Sequence, residues 1–333
     1  MKISICIPTY NRAGHLSNCL QSIITNRLRE TLDFQVCVSD NASDDHTMAV
    51  VESAQQHLEI KYQKNDANLG VARNVMKAVQ MADGEFIWLI GDDDLLLPDA
   101  LQRLSELIDA HPSVDYFYVN AFHLTTEFVY SFPQPFDTSL LPDEMEPFSP
   151  SKISREMDFL DLVDPKISFD FLGGMFLAVF RREKWNANIN VVDLNALADT
   201  RVFSYFDNTF VHVKIFAKAF SGSRAYFFSE PLSVCLTGAR EWAPMYPFVR
   251  SVRLIEALDE YRNNGLPFIK YLKCRNFALR TFIPDLVYMF LNKDISGLAY
   301  VKPYKLILKN LIFPNTYLSL FYYLARKIRA LSN

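Results

Sequence analysis

Cysteine is scarce here: five in 333 residues, scattered and with no CxxC pair, which excludes a dense disulfide framework. Three of them lie in or beside apolar runs, where a free thiol packs as a small hydrophobe, so a reducing compartment is expected. No GxGxxG follows the first apolar run, which argues against an NAD-dependent oxidoreductase. The Gly-rich, basic N-terminal loop of sugar-phosphate nucleotidyltransferases is missing as well, replaced by Pro8-Thr9-Tyr10-Asn11. No secretory leader is expected, because the opening apolar run is short and is cut by Pro8. The nearest approach to a membrane span, residues 306–325, is broken by Lys309, Asn310, Pro314 and Asn315. It falls short of the roughly 20 uninterrupted apolar residues a span needs. Repeats, low-complexity tracts and aromatic–basic RNA motifs are absent, and the body is acidic, so no nucleic-acid partner is expected.

What is present is a chain long enough for one large or two modest domains, half of it hydrophobic and 14% aromatic. The net charge of −4 conceals an asymmetry. From Arg262 onward there are twelve Lys/Arg against two acids, Asp285 and Asp294, which leaves the first 261 residues at −14. A basic, aromatic-rich tail on an acidic body points to an anionic surface; a helical subdomain with a solvated basic face is the plainer alternative.

Apolar periodicity predicts strands at residues 2–7, 34–39, 60–62, 85–90 and 114–119. Helices are predicted at 15–25, around Met48, Val51 and Ala54, at 69–82, and from Pro98 onward. Strand–helix alternation with short connections implies an α/β fold with a parallel, doubly wound sheet, in which ligands bind beyond the carboxyl ends of the strands. Three polar clusters fall at those ends: Pro8-Thr9-Tyr10-Asn11, Asp40-Asn41 and Asp92-Asp93-Asp94. Residues 131–150, with five prolines, read as a long loop or boundary. Residues 208–220 read as an apolar helix and 225–228 as a strand, and beyond about residue 246 the chain reads as mainly helical.

The acidic turn Gly91-Asp92-Asp93-Asp94 stands directly behind Phe86-Ile87-Trp88-Leu89-Ile90. Three adjacent carboxylates repel one another, and a cation must relieve them. Oxygen-only ligands at a turn suit a hard divalent ion, Mg²⁺ or Mn²⁺, which commonly also holds substrate phosphates. A solvated acidic turn ahead of a helix is the bland alternative.

Four ordered motifs then carry a resemblance. Ser4-Ile5-Cys6-Ile7-Pro8-Thr9-Tyr10-Asn11-Arg12, Val38-Ser39-Asp40-Asn41-Ala42-Ser43-Asp44-Asp45, Asn68-Leu69-Gly70-Val71-Ala72-Arg73-Asn74 and Gly84-Glu85-Phe86 with the acidic turn resemble inverting glycosyltransferase family 2. Gly91, Gly173-Gly174 and the His-centred helix before Glu230-Pro231-Leu232 make the chain most similar to its abequosyltransferase-like O-antigen enzymes. The resemblance implies the GT-A (nucleotide-diphospho-sugar transferase) fold: a nucleotide-sugar half over residues 1–130, an acceptor half over 131–245, and a helical, basic region over 246–333. It assigns Pro8, Thr9, Tyr10 and Arg12 to the wall around the donor's base and ribose. Asp40 would accept a hydrogen bond from the base with Asn41 beside it, and Arg73 would sit near the diphosphate. Asp92 and Asp93 would meet donor and metal, and Asp92, Asp93 and Asp94 together would hold the ion. Many members carry Asp where this chain has Gly91, so the ribose contact there is lost or passes to Asp92.

Inverting transfer also needs a general base to take the acceptor's proton. The usual acidic pair before the second-half helix is not evident. His212 is the first choice, with Asp207 about a turn upstream; if His212 ligates metal instead, Asp207 or Asp199 is the base. Arg240 and Trp242 would belong to a loop closing over diphosphate and sugar. The expected activity is metal-dependent transfer of a sugar from a nucleotide-diphosphate donor to a lipid-linked O-antigen or capsule acceptor. The chain would be cytoplasmic, attached peripherally through its tail to the inner face of the cell membrane. The alternatives are a sugar-phosphate nucleotidyltransferase and a nucleotide-sugar-binding scaffold subunit without transferase activity.

Overall fold

The computed structural model describes residues 2–27, 33–238 and 242–332. The first half alternates as the periodicity predicts: β1 Ile3–Thr9, α1 Ala13–Arg27, β2 Phe34–Asp40, α2 Thr47–Ala54, β3 Ile60–Lys64, α3 Val71–Gln80, β4 Phe86–Leu89, β5 Asp94–Leu96, α4 Ala100–Ala110 and β6 Tyr116–Thr125. A five-residue helix, α5 Thr126–Tyr130, leads into the proline-rich stretch, which carries little regular structure beyond β7 Glu146–Pro147. Then come β8 Arg155–Asp158, β9 Ala178–Arg181, α6 Arg182–Asn188, α7 Leu194–Ala198, α8 Phe206–Thr209, α9 Val211–Phe220 and β10 Arg224–Thr237. The rest is helical: α10 Tyr246–Phe248, α11 Leu254–Asn263, α12 Phe268–Ala278, α13 Phe282–Leu291, α14 Pro303–Asn310 and α15 Pro314–Ser332.

One sheet runs β3-β2-β1-β4-β9-β6-β10-β5, with β7 beside β6 and β8 beside β10. The strands β3, β2, β1 and β4 are parallel, and β10 is parallel to β6. Strand β9 runs antiparallel to both β4 and β6, and β5 antiparallel to β10. The sheet is therefore mostly rather than wholly parallel. Chain order reverses at β1, which sits between β2 and β4; this switch point opens a crevice at the carboxyl ends of the strands.

Apolar side chains fill both faces. On one, Leu16, Leu20 and Ile23 of α1 and Leu101 and Leu104 of α4 pack with Ile5, Ile7 and Trp88. On the other, a continuous cluster joins Val75 and Val79 of α3 to Phe180, Phe216 and Phe220 and onward to Tyr261 and Met289. The C-terminal helices thus share a core with the sheet.

Several boundaries differ from the periodicity. Helix α4 begins at Ala100, not Pro98, because Asp99 takes a left-handed conformation with φ 62°. The helix expected over 208–220 is broken at Phe210 (φ −130°, ψ 61°) into α8 and α9. Strand β10 is far longer than expected: its register against β6 shifts between Phe228 and Ser233, letting one strand pair with β8 early and β5 late.

Candidate active site

The crevice is a cavity of about 440 Å³. From the first half it is walled by Pro8, Thr9, Tyr10, Asn11, Arg12, Asn41, Val71, Asn74 and residues 91–94. From the second half it is walled by Gly173, Met175, Phe176, Cys235 and Trp242.

The loop after β1 is stitched to the loop after β2. Asn11, at φ 51°, donates its N–H to Ser43 Oγ (2.8 Å) while its side-chain oxygen accepts from Asp44 N–H (2.8 Å). Asp45 accepts from Ala13 N–H at 2.9 Å. This fixes Arg12 over the acidic turn. Its Nη1 lies 2.8 Å from Asp92 Oδ1 and its Nη2 3.1 Å from Asp93 Oδ2. Thr9 Oγ1 donates to the other Asp92 oxygen at 2.8 Å. Burial opposes the Arg12 charge, but Asp92 and Asp93 raise its pKa overall. Burial likewise pushes Asp92 up to about 7, with Arg12 and the Thr9 hydroxyl pulling it down and Asp93 adding to the rise.

The turn is tight at its first position. A Cβ on Gly91 would stand 2.7 Å from Asp93 Oδ1 and 3.2 Å from Asp94 Oδ2, so a side chain here would require these two carboxylates to shift. Gly91 N–H instead donates to Asp94 Oδ2 at 2.7 Å.

Asn74 joins the pieces. Its Nδ2 donates to Thr9 O (3.2 Å) and Ser39 O (2.9 Å), and its Oδ1 accepts from Ser39 Oγ (2.7 Å) and Asn65 Nδ2 (3.1 Å). Asn41 adds a second link, accepting from Leu69 N–H and donating to Asn68, both at 2.8 Å. The ends of β1 and β2 and the head of α3 are thereby locked together. On the far wall, Trp88 Nε1 donates to Phe176 O at 3.0 Å, and Trp242 packs edge-on to Phe203 and stacks with Tyr246.

Several expected site residues are placed elsewhere. Asp40 is fully buried, with one oxygen accepting from Ser43 N–H (2.8 Å) and the other from Tyr62 Oη (2.6 Å). It closes the loop from beneath, and Asn41 reaches the cavity in its stead. Arg73 is half-buried on α3, off the cavity wall, with no ion pair to another described residue. His212 is buried on α9 between Phe210 and Phe216, off the cavity wall, and its Nε2 has no hydrogen-bond partner among the described residues. Burial lowers its pKa to about 3, so the imidazole is a neutral core group. Asp207 is also off the wall, one oxygen accepting from Asp193 N–H (2.6 Å) and the other 2.7 Å from Lys214 Nζ. Asp199 pairs with Arg201 at 2.6 Å and its pKa falls well below the carboxylate range, chiefly through that contact. Arg240 lies outside the described residues.

For a metal, the three carboxylates are unequal. Among the described residues no three His, Cys, Asp or Glu side chains converge as a ready site. Asp92 has both oxygens taken by Arg12 and Thr9, and Asp94 is drawn back to the Gly91 N–H. Asp93 Oδ1 accepts no hydrogen bond from a described residue and stands at the cavity. One open carboxylate fits a Mg²⁺-like ion that keeps waters and takes further ligands from substrate phosphates. The wall residues Asn74, Met175 and Phe176 lie within the family motifs or next to Gly173-Gly174, but the sequence pattern assigns them no role. Cys235 carries no local signal, because it reaches the site only by pairing with Asp94.

Comparison with known proteins agrees with this architecture. Abequosyltransferase RfbV of Salmonella typhimurium is 29% identical over 239 residues, covering 71% of this chain and 66% of its own. The poly(ribitol-phosphate) beta-N-acetylglucosaminyltransferase TarS of Staphylococcus aureus is 33% identical over 116 residues, 34% of this chain and 20% of its own. A Campylobacter jejuni GalNAc(5)-diNAcBac-PP-undecaprenol beta-1,3-glucosyltransferase is 35% identical over 107 residues, 32% of this chain and 34% of its own. The matches thus span less than two thirds of these relatives' lengths. The crystal structure of S. aureus TarS in complex with UDP superposes with a TM-score of 0.57 at 17% identity, covering 84% of this chain and 71% of that one, and shows the shared GT-A fold. The family model described as Glycosyl transferase family 2 matches residues 4–175, just over half of the sequence, and the chain belongs to that family.

Proposed function

We propose that this chain transfers a sugar, with inversion, from a nucleotide-diphosphate donor to a lipid-linked oligosaccharide of the O-antigen or capsule type, at the inner face of the cell membrane. The observation that carries this reading is the acidic turn, paired with Arg12 through Asp92 and Asp93, on the wall of the switch-point cavity of a family 2 chain. The names of two relatives, an abequosyltransferase and an undecaprenol-linked glucosyltransferase, support the acceptor class.

The nucleoside diphosphate lies against Pro8, Thr9, Tyr10 and Asn41, with Arg12 and Asp93 at the phosphates. Mg²⁺ or Mn²⁺ held by Asp93, when bound, supplies Lewis-acid stabilisation of the charge that builds on the leaving diphosphate. Arg12 provides a fixed positive charge at the same place, already oriented by Asp92. Met175, Phe176 and Trp242 exclude water from the sugar side and leave apolar surface for its ring. The acceptor hydroxyl attacks the anomeric carbon from the face opposite the leaving group and gives up its proton to a base.

In this reading Asp207 becomes the base once its contacts with Asp193 N–H and Lys214 are released and its side chain turns to the cavity in the substrate complex. It belongs to α8, which packs on α3, the helix whose first residue, Val71, lines the cavity. A catalytic hydrogen bond is often completed only in the substrate complex. Purified protein with Mn²⁺ and a panel of nucleotide sugars tests the proposal through donor hydrolysis or transfer. Activity lost in Asp93→Asn and Asp207→Asn but kept in His212→Phe is the expected pattern. Turnover that needs no metal would strip Asp93 of its role as ion ligand. One observation favours a second reading: among the described residues, no carboxylate or imidazole from the second half lines the cavity. A nucleotide-sugar-binding scaffold would bind donor in the same assay and never turn it over.

A further inference from the structure

Helix α15 is built inside out. The side it turns to the protein is small and polar: Thr316 and Ser319 are buried, and Ser319 Oγ accepts from Ile283 N–H at 3.1 Å. Asn315 on the same turn donates two hydrogen bonds to Asn276, from its N–H to Oδ1 at 3.0 Å and from its Nδ2 to the carbonyl at 2.8 Å. The opposite side is apolar and exposed. Tyr317 (61%), Phe321 (67%), Leu324 (51%) and Ile328 (64%) follow one another at spacings of four, three and four, a single helical stripe. A helix resting on a globular body normally does the reverse. Helix α13, packed against α15, adds exposed Phe290 and Leu291, the latter at 79%. Exposed apolar surface of this kind marks an interaction site.

We infer that this face docks on an anionic lipid leaflet, with the apolar stripe of α15 entering the acyl boundary and neighbouring lysines meeting the headgroups. Charge selects the occupant. Lys302, Lys305 and Lys309, at and along α14, and Lys327 on α15 are all exposed, and no acid follows Asp294. A second copy of the chain would set two such basic faces against each other, whereas an anionic leaflet neutralises them. No helix among the described residues is long and apolar enough to cross a membrane, so the contact is interfacial. The inference shares the membrane setting of the proposed function, but the surface itself is read from exposure and charge alone.

The test is flotation of the full chain with vesicles of phosphatidylcholine, alone or with about one third phosphatidylglycerol. Wild type should float with the anionic vesicles and stay behind with the neutral ones. The double variant Phe321→Glu/Leu324→Glu, at positions already in solvent, should lose more than about tenfold in partitioning. Lys305→Glu/Lys309→Glu should lose at least about fivefold per residue and leave the apolar stripe intact. Equal binding of wild type and both variants would overturn the inference, as would a wild-type dimer that the first variant separates. Donor hydrolysis measured without vesicles should be the same in wild type and both variants, so failure of the surface and failure of the active-site reading are read separately.

Discussion

Arg12 stands 2.8 Å from Asp92 and serves as the internal counter-cation of the acidic turn, bridging onward to Asp93 at 3.1 Å. The charge relief that three adjacent carboxylates demand thus comes first from the protein itself. Among the described residues, the Asp93 oxygen turned away from Arg12 accepts no hydrogen bond and is left for an added ion.

Removing the guanidinium should therefore be costly without metal and partly repaired by it. Breaking a buried pair costs about 3–5 kcal/mol, and Arg12 keeps 30% of its side-chain surface exposed, so Arg12→Gln should lose about 2 kcal/mol. Mg²⁺ or Mn²⁺ should raise the variant's melting temperature more than that of wild type, since two carboxylates are then unpaired. Calorimetric melts with and without metal check this. Equal shifts in both proteins would mean that Arg12 does not compete with the ion.

Asp92 gives the site a pH signature. Burial pushes this carboxyl up to about 7, whereas an unfolded-chain aspartate titrates at about 3.9. The native state holds the proton more tightly, so this group's contribution to stability is full below about pH 4 and is lost as pH rises to about 7. In Asp92→Asn that dependence disappears. Melting temperatures from pH 4 to 8 should show wild type declining relative to the variant up to about pH 7 and level thereafter. A constant offset across the range would show that Arg12 and Thr9 outweigh burial.

The alternating first half of this fold was legible because each strand there is a short apolar run and each helix carries its own stripe. Its parallel order followed from connection length. Strands β9 and β5 were not legible, since Ala178–Arg181 and Asp94–Leu96 earn their pairing only from partners far along the chain. The same limit divides the site. Thr9, Arg12, Asn41 and residues 92–94 sit at strand ends and reach the cavity as the pattern implies. Asp40 also sits at a strand end, but alternation turns it beneath the sheet edge to meet Tyr62. The far wall depends on how α8, α9 and the 173–176 segment pack, which no local spacing encodes.

Asn74 should matter more than its neutral side chain implies. Four hydrogen bonds to Thr9, Ser39 and Asn65 leave with it; Thr9 O keeps the Asn41 N–H at 2.9 Å, so the loss falls mainly on the Ser39 hydroxyl and carbonyl and on the Asn65 amide. Asn74→Ala should cost about 3 kcal/mol in urea unfolding, from buried polar groups left unmet. Asn74→Asp should cost more, because it aims a carboxylate at the Thr9 and Ser39 carbonyls. A loss below about 1 kcal/mol for both would show that the loop ends hold their positions without it.

His212 provides the sharpest separation between sequence pattern and structure. A histidine on a helix ahead of Glu230-Pro231-Leu232 reads as a base, yet its ring lies 5.9 Å from Phe210 and 5.4 Å from Phe216, centroid to centroid, with Nε2 unpartnered. A buried polar atom without a partner costs about 1–3 kcal/mol. His212→Phe removes that cost and keeps an aromatic ring in an aromatic site, although the larger ring takes back part of the gain through crowding. Stability should stay within about 1 kcal/mol of wild type or rise, and kcat for donor turnover should change less than about threefold, against the 10²–10⁴-fold loss typical of a missing base. A loss of that larger size with an unchanged melting temperature would return the imidazole to the chemistry and require the α9 segment to open toward the cavity during turnover.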